Sequence, residues 1–284
     1  VFLEYLRNDE KYAAAAERVR RGGGAYAPSF YAPYVLAAAI DTGEGRVVVA
    51  PDGEAATRLA ADLAVYLDRA VPVLPARGVL YGADVAPAAH VVGERQQALA
   101  GLTAGGVIVA EAVTLLERFL PLELQPPPLA LAPGEELDFD AAVARLVTLG
   151  YERVEQVRSR GEFAVRGGLI DVYPALGDPL RVDFWGDQVE SLRTFSVYSQ
   201  RTTGETAAAT VYAAFEADAS LADYEQGLRQ AVADWEREGR EGSPEELERR
   251  AAVRALAALA GRFTTLAGVA GVADASWAVF NPDE

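Results

Sequence analysis

The sequence contains no cysteine and no methionine, one histidine (His90) and one lysine (Lys11). Without cysteine there are no disulfides, thiolate zinc sites or cysteine nucleophiles. A lone histidine leaves no second imidazole for a multi-histidine metal site and almost no room for a histidine-based triad. No apolar run reaches the roughly 20 residues that span a bilayer, and no charged-then-apolar leader opens the chain. A soluble, cytoplasmic protein with no membrane partner is expected. The missing methionine, absent even at position 1, reads as a fragment or a processed product.

What is present narrows the choice further. At 284 residues the chain is long enough for about two domains, each with its own core. A net charge of −16 repels phosphate, so sequence-independent nucleic-acid binding through a basic face is disfavoured. Of the 26 basic residues 25 are arginine, and with so much alanine this bias fits genomic base composition rather than function.

Up to about residue 125 the pattern is strand alternating with helix. Residues 9–21 form an amphipathic helix stopped by Gly22-Gly23-Gly24, and Tyr34–Ile40 reads as a second helix. Arg46–Ala50, Val71–Leu74 and Gly106–Ala110 are short apolar strands. Asp52 caps a helix to about Asp68, and another helix spans about Gly93–Leu102. Such alternation predicts a mostly parallel sheet with right-handed crossovers. The turn Ala25–Pro33 is where a phosphate-cradling loop would sit, but it has no lysine, and two prolines remove amides that phosphate would need. No cofactor is expected there.

Other candidate sites yield to simpler readings. Glu135-Glu136 with Asp138 and Asp140 stand just before a helix, where capping explains them better than metal binding. Glu245-Glu246 follow Ser243-Pro244 as a capping box. Tyr26, Phe30, Tyr31 and Tyr34 read as helix-to-sheet packing before a base-stacking platform. No catalytic constellation emerges. Gln125-Pro126-Pro127-Pro128 and the residues after it form an extended connector, a domain boundary. Ala141–Leu149 is a helix ending at Gly150. Helices are expected over 220–239 and 243–260, and a last strand over Trp277–Phe280 returns to the first sheet.

The chain is organised around Gly150–Arg201, where helical period gives way to alternation. Glu162–Tyr173, Leu180–Gly186 and Gln188–Phe195 read as three strands of an antiparallel meander, with Gly177-Asp178-Pro179 and Gly186-Asp187 as turns. Leu180, Val182 and Phe184 face the core, leaving Arg181, Asp183 and Trp185 on the other side. Two readings of that side stand level on pattern alone. In one, Trp185 and Arg181 form a protein-binding hot spot. In the other, Trp185 is buried under Tyr151 or the connector and Arg181 pairs with Asp183. Arg166 joins the first reading, because Gly167-Gly168 after it would let a partner approach the backbone.

GEFAVRGGLIDVYP followed by PLRVDFWGDQVESLRTFSVYSQR resembles the second domain of the bacterial transcription-repair coupling factors. The related domain of the excision-repair protein UvrB carries a looser version of the motif. The resemblance extends upstream through Glu94-Arg95-Gln96-Gln97-Ala98-Leu99 and Val107-Ile108-Val109-Ala110, and thins beyond Glu216. It implies a degenerate P-loop-type parallel α/β domain over 1–125 (domain 1a). An inserted α+β domain built on the meander would occupy 126–210 (domain 2), and helices with a returning strand 211–284 (domain 1b). It further implies a non-catalytic adaptor that binds UvrA by mimicking UvrB, with Arg166, Arg181 and Trp185 at the contact. RNA polymerase and DNA would be engaged by other domains of the full-length protein, whose translocase motor lies outside these residues. Trp185 departs from the phenylalanine common in the family. The rival reading is a UvrB-like ATP-dependent damage-verification protein. On the adaptor reading, alanine at Arg181 or Trp185 should weaken UvrA binding by about 2 kcal/mol or more with the fold intact.

Overall fold

A computed structural model of the chain describes chiefly residues 8–20, 46–79, 86–121, 124–216 and 277–279. The turn and helix expected over 25–40 and the helices expected over 220–239 and 243–260 lie outside the described residues, apart from isolated positions. The described residues combine an all-parallel sheet with a largely antiparallel one, in two units.

The first unit comprises residues 1–76, 94–119 and 264–284. Its sheet holds β1 (Arg46–Ala50), β2 (Val73–Leu74), β3 (Val107–Glu111) and β12 (Trp277–Val279), all parallel in the order β12-β1-β3-β2. Val47 through Ala50 are all buried, as a continuous apolar strand in a parallel sheet requires. The helix α2 (Gly53–Leu67) starts where expected, with Asp52 accepting a 2.8 Å hydrogen bond from the amide of Ala55. Its Leu59, Leu63 and Leu67 share a core with Val48 of β1, Val109 of β3 and Tyr12 of α1 (Glu10–Arg20). The helix α3 (Ala89–Thr103) begins at Ala89 rather than Gly93. No described helix is long and apolar enough to cross a membrane.

The second unit comprises residues 77–93 and 120–263. Its main sheet contains β5 (Glu152–Arg153), β6 (Glu162–Arg166), β7 (Leu169–Val172), β8 (Leu180–Trp185), β9 (Gln188–Phe195) and β10 (Thr202–Glu205), neighbouring one another in sequence order. Every pairing is antiparallel except that of β5 with β6. The helix α4 (Phe139–Thr148) covers one face, placing Ala142 and Leu146 against Phe163, Ile170, Val182 and Leu192. Asp138, not Asp140, caps it, accepting from the amide of Ala141 at 2.6 Å.

The C-terminus of α4 sets where the sheet begins. The Gly150 amide donates to Val147 O and the Tyr151 amide to Leu146 O, the paired bonds of a Schellman motif. Gly150 has φ +80°, and a Cβ there would stand 2.5 Å from Phe215 Cβ, so only glycine fits. The chain thus delivers Tyr151 into the core, where its hydroxyl donates to Tyr212 O (2.7 Å) and accepts from the Ala175 amide (2.9 Å). Burial pushes this phenol well above the usual tyrosine range, so it stays protonated and donating. Tyr151→Phe should cost about 1–3 kcal/mol in urea unfolding, because both main-chain groups lose a buried partner.

One expectation needs correction. Glu162–Tyr173 is not one strand but the β6–β7 hairpin, with Arg166 opposite Leu169 and Gly167-Gly168 as its two-residue turn. Gly167 has φ +60°, the left-handed conformation a primed hairpin turn demands at its first central residue. Gly168 O accepts from the Phe184 amide at 2.8 Å, so this backbone is bound within the fold rather than bare. The extended connector contributes a strand after Pro128: β4 (Leu129–Leu131) pairs antiparallel with β11 (Ala209–Val211). This pairing buries Leu131 and Val211 in the core under α4.

Candidate functional site

The face of the sheet turned away from α4 carries the polar residues of the meander. Strand register arranges them in rows, since Cα partners in adjacent strands point to the same side. One row runs Ala164, Asp171, Arg181, Arg193, Glu205 across β6 to β10. The next runs Arg166, Leu169, Asp183, Ser191. Trp185 lies beyond them at the end of β8, opposite Gln188. One end of this face is closed by a small apolar cluster of Val157, Ala164 and Phe195, with Val154, Tyr173 and Val197 packed on it. The other end, at the Gly167-Gly168 and Gly186-Asp187 turns, is open.

The three residues singled out from the sequence have three different settings. Trp185 is 80% exposed, and it is not covered by Tyr151, which is buried in the core. Arg166 is exposed, and its Nη2 donates to Glu155 O at 2.8 Å, which steadies the side chain without neutralising it. Arg181 pairs with Asp171 and not with Asp183. Its Nε donates to Asp171 Oδ1 at 2.7 Å and its Nη2 to Asp171 Oδ2 at 2.8 Å, a two-pronged contact in which the carboxylate side chain is only 2% exposed. The guanidinium also lies 5.0 Å from the centre of the Phe195 ring and donates through Nη1 to Gln200 O at 3.3 Å. Its pKa is raised, chiefly by the hydrogen bond to Asp171, against the opposing effect of burial. The structure therefore brings Arg166 and Trp185 to the open end of one face, while Arg181, about 13 Å along β8 from Trp185 at ~3.3 Å per residue, is built into the sheet.

Two residues of this face escaped the sequence reading. Asp171 is the buried counter-charge that holds Arg181. A lone acid inside the apolar run Leu169–Val172 is the signal that could have found it, since a carboxylate there needs a partner. Arg193 is the second arginine of the row and pairs with Asp183, whose Oδ2 also accepts from Ser191 Oγ. Among the described residues no three histidine or acidic side chains gather as a metal site, and His90 is exposed.

This face lies within the part of the chain that matches a known family. Residues 129–216 match the family described as UvrB interaction domain. The chain is also similar to curated transcription-repair-coupling factors. It is 40% identical to that of Mycobacterium tuberculosis over 169 residues, covering 56% of this chain and 14% of the relative. It is 34% identical to that of Escherichia coli over 174 residues, 60% of this chain and 15% of the relative. With Staphylococcus aureus it shares 30% over 151 residues, 52% and 13% respectively. The resemblance read from the motifs of 150–201 is thereby borne out, and the chain spans about one seventh of the length of the relatives it matches.

Proposed function

We propose that the chain is a non-catalytic adaptor region of a transcription-repair coupling factor, recruiting UvrA to stalled transcription for nucleotide excision repair by offering the surface that UvrB offers. The observation that carries this reading is Trp185: a tryptophan 80% exposed at the rim of a rigid sheet, inside the stretch that matches the UvrB interaction domain. Large exposed aromatic groups beside arginine are what interface hot spots are made of, and solubility alone does not select them. Arg166 would add a charge-assisted hydrogen bond to an acidic group of UvrA, and Trp185 would fill an apolar pocket. The two rows carry Arg166, Arg181 and Arg193 against Asp171, Asp183 and Glu205, so they balance in charge within a chain of net charge −16. Titration of the 284-residue chain with purified UvrA tests the reading, and the absence of saturable binding overturns it.

In the same reading residues 1–125 are domain 1a, a degenerate P-loop-type domain, residues 126–210 are domain 2, and residues 211–284 are domain 1b. RNA polymerase and DNA are assigned to other parts of the longer protein, the setting is cytoplasmic, and this region needs no cofactor. The rival is a UvrB-like ATP-dependent damage-verification protein, and labelled ATP separates the two. The turn Ala25–Pro33 has no lysine for the β/γ-phosphates, so no saturable binding is expected. Micromolar affinity with turnover would instead establish the rival.

A further inference from the structure

The two arginines of the central row, Arg181 and Arg193, are cross-strand neighbours with unequal commitments. Arg181 gives Nε and Nη2 to the two oxygens of Asp171, and Nη1 to Gln200 O. Arg193 gives only Nη2, to Asp183 Oδ2, an oxygen it shares with Ser191. Its Nε is shut off from solvent and has no hydrogen-bond partner. An arginine seeking only internal satisfaction would turn its Nε–Nη2 edge onto the carboxylate, as Arg181 does on Asp171. An orphaned N–H makes the present position of Arg193 costly, so turning outward loses little. Asp183 would keep Ser191 as its donor. Arg193 is also the more open of the two, its side chain 34% exposed against 16% for Arg181. Glu205 stands opposite it on the edge strand, exposed, and no hydrogen bond joins them.

We infer that Arg193 is a further partner-contact residue, whose free donors take an aspartate or glutamate side chain of the protein partner, while Asp171 and Arg181 position the strand that carries it. This rests on the recruitment reading above and adds to it which arginine of the row the partner engages. The charge logic is direct. Once Arg193 turns outward, its guanidinium stands next to a second arginine whose charge is already held by Asp171, so an incoming carboxylate meets an arginine with unused N–H groups.

The experiment measures binding of purified UvrA to the 284-residue chain and to Arg193→Gln and Arg193→Lys variants, at low and moderate salt, with a melting curve for each. Arg193→Gln should raise Kd about tenfold or more, as loss of a charge-assisted contact does, with Tm within about 2 °C of wild type. Arg193→Lys should bind more tightly than Arg193→Gln, because it keeps the charge, and the wild type should lose affinity with salt more steeply than Arg193→Gln. Wild-type binding that Arg193→Gln leaves within twofold overturns the inference alone. A wild-type chain that does not bind overturns the recruitment reading and the inference together. Should Arg193→Gln lower both Tm and affinity, an Arg193→Lys variant no better than it in binding counts against a contact role.

Discussion

Arg181→Ala is expected to destabilise the second unit by about 3–5 kcal/mol, the cost of leaving one member of a buried ion pair alone. Asp171 is the member left behind. Its carboxylate is 2% exposed and takes two hydrogen bonds from Arg181, so truncation leaves a largely buried charge without its counter-charge and both of these donors. The loss of the guanidinium over Phe195 adds to the cost and opens the apolar cluster that closes that end of the face. Urea unfolding monitored by tryptophan fluorescence would read the change, and a midpoint equal to wild type would refute the structural role. Removing both charges discriminates further. Arg181→Leu combined with Asp171→Leu should recover much of the loss, since apolar side chains of similar volume often replace a buried pair at little cost. The sequence alone led to the expectation that Arg181→Ala spares the fold. The Asp171 contact is the reason to expect otherwise, and reduced UvrA binding by that variant must be judged beside its stability.

Trp185→Ala should behave in the opposite way. Its side chain contributes little to the core at 80% exposure, so stability should stay within about 0.5 kcal/mol of wild type. Affinity for UvrA should fall by about 2 kcal/mol or more, roughly thirtyfold in Kd, because an aromatic anchor at an interface centre supplies a large share of the binding energy. Trp185→Phe should keep most of the affinity, since the ring still fills a pocket. Isothermal titration beside a thermal melt measures both quantities. An alanine variant that binds UvrA as well as wild type would remove Trp185 from the interface. The contrast between the two variants is the sharper test: one side chain on β8 is held within the sheet, and the other, four residues on, is exposed.

Much of this architecture is legible in the chain because it depends on local chemistry. Asp52 and Asp138 cap helices through bonds to amides three residues on, a contact that sequence spacing alone sets. Gly150 ends α4 because the C′ position takes φ +80°, which glycine adopts without the cost a Cβ would bring. The alternation over 180–185 puts Leu180, Val182 and Phe184 inward whatever strand lies beside them. Where the reading failed, the local signal was present but weaker than its surroundings. Gly167-Gly168 sits between two apolar runs and is a hairpin signal in its own right, yet the runs join smoothly enough to pass for one strand.

The sequence by itself determined which side of β8 is polar, and that Arg181, Asp183 and Trp185 share it. Only the tertiary structure decided what each does there. Period-2 alternation says which face a side chain takes, but not which strand lies alongside or in what register. Asp171 reaches Arg181 because β7 pairs with β8 at that position, and Asp183 is engaged instead by Arg193 and Ser191 of β9. A one-residue slip of either pairing would move Asp171 to the core face and undo the clamp. Trp185 is exposed because β8 ends immediately before Gly186, where the sheet turns, and among the described residues nothing in the second unit's core reaches over it. Partner, cover and exposure are properties of strands brought together, and those the linear order of residues leaves open.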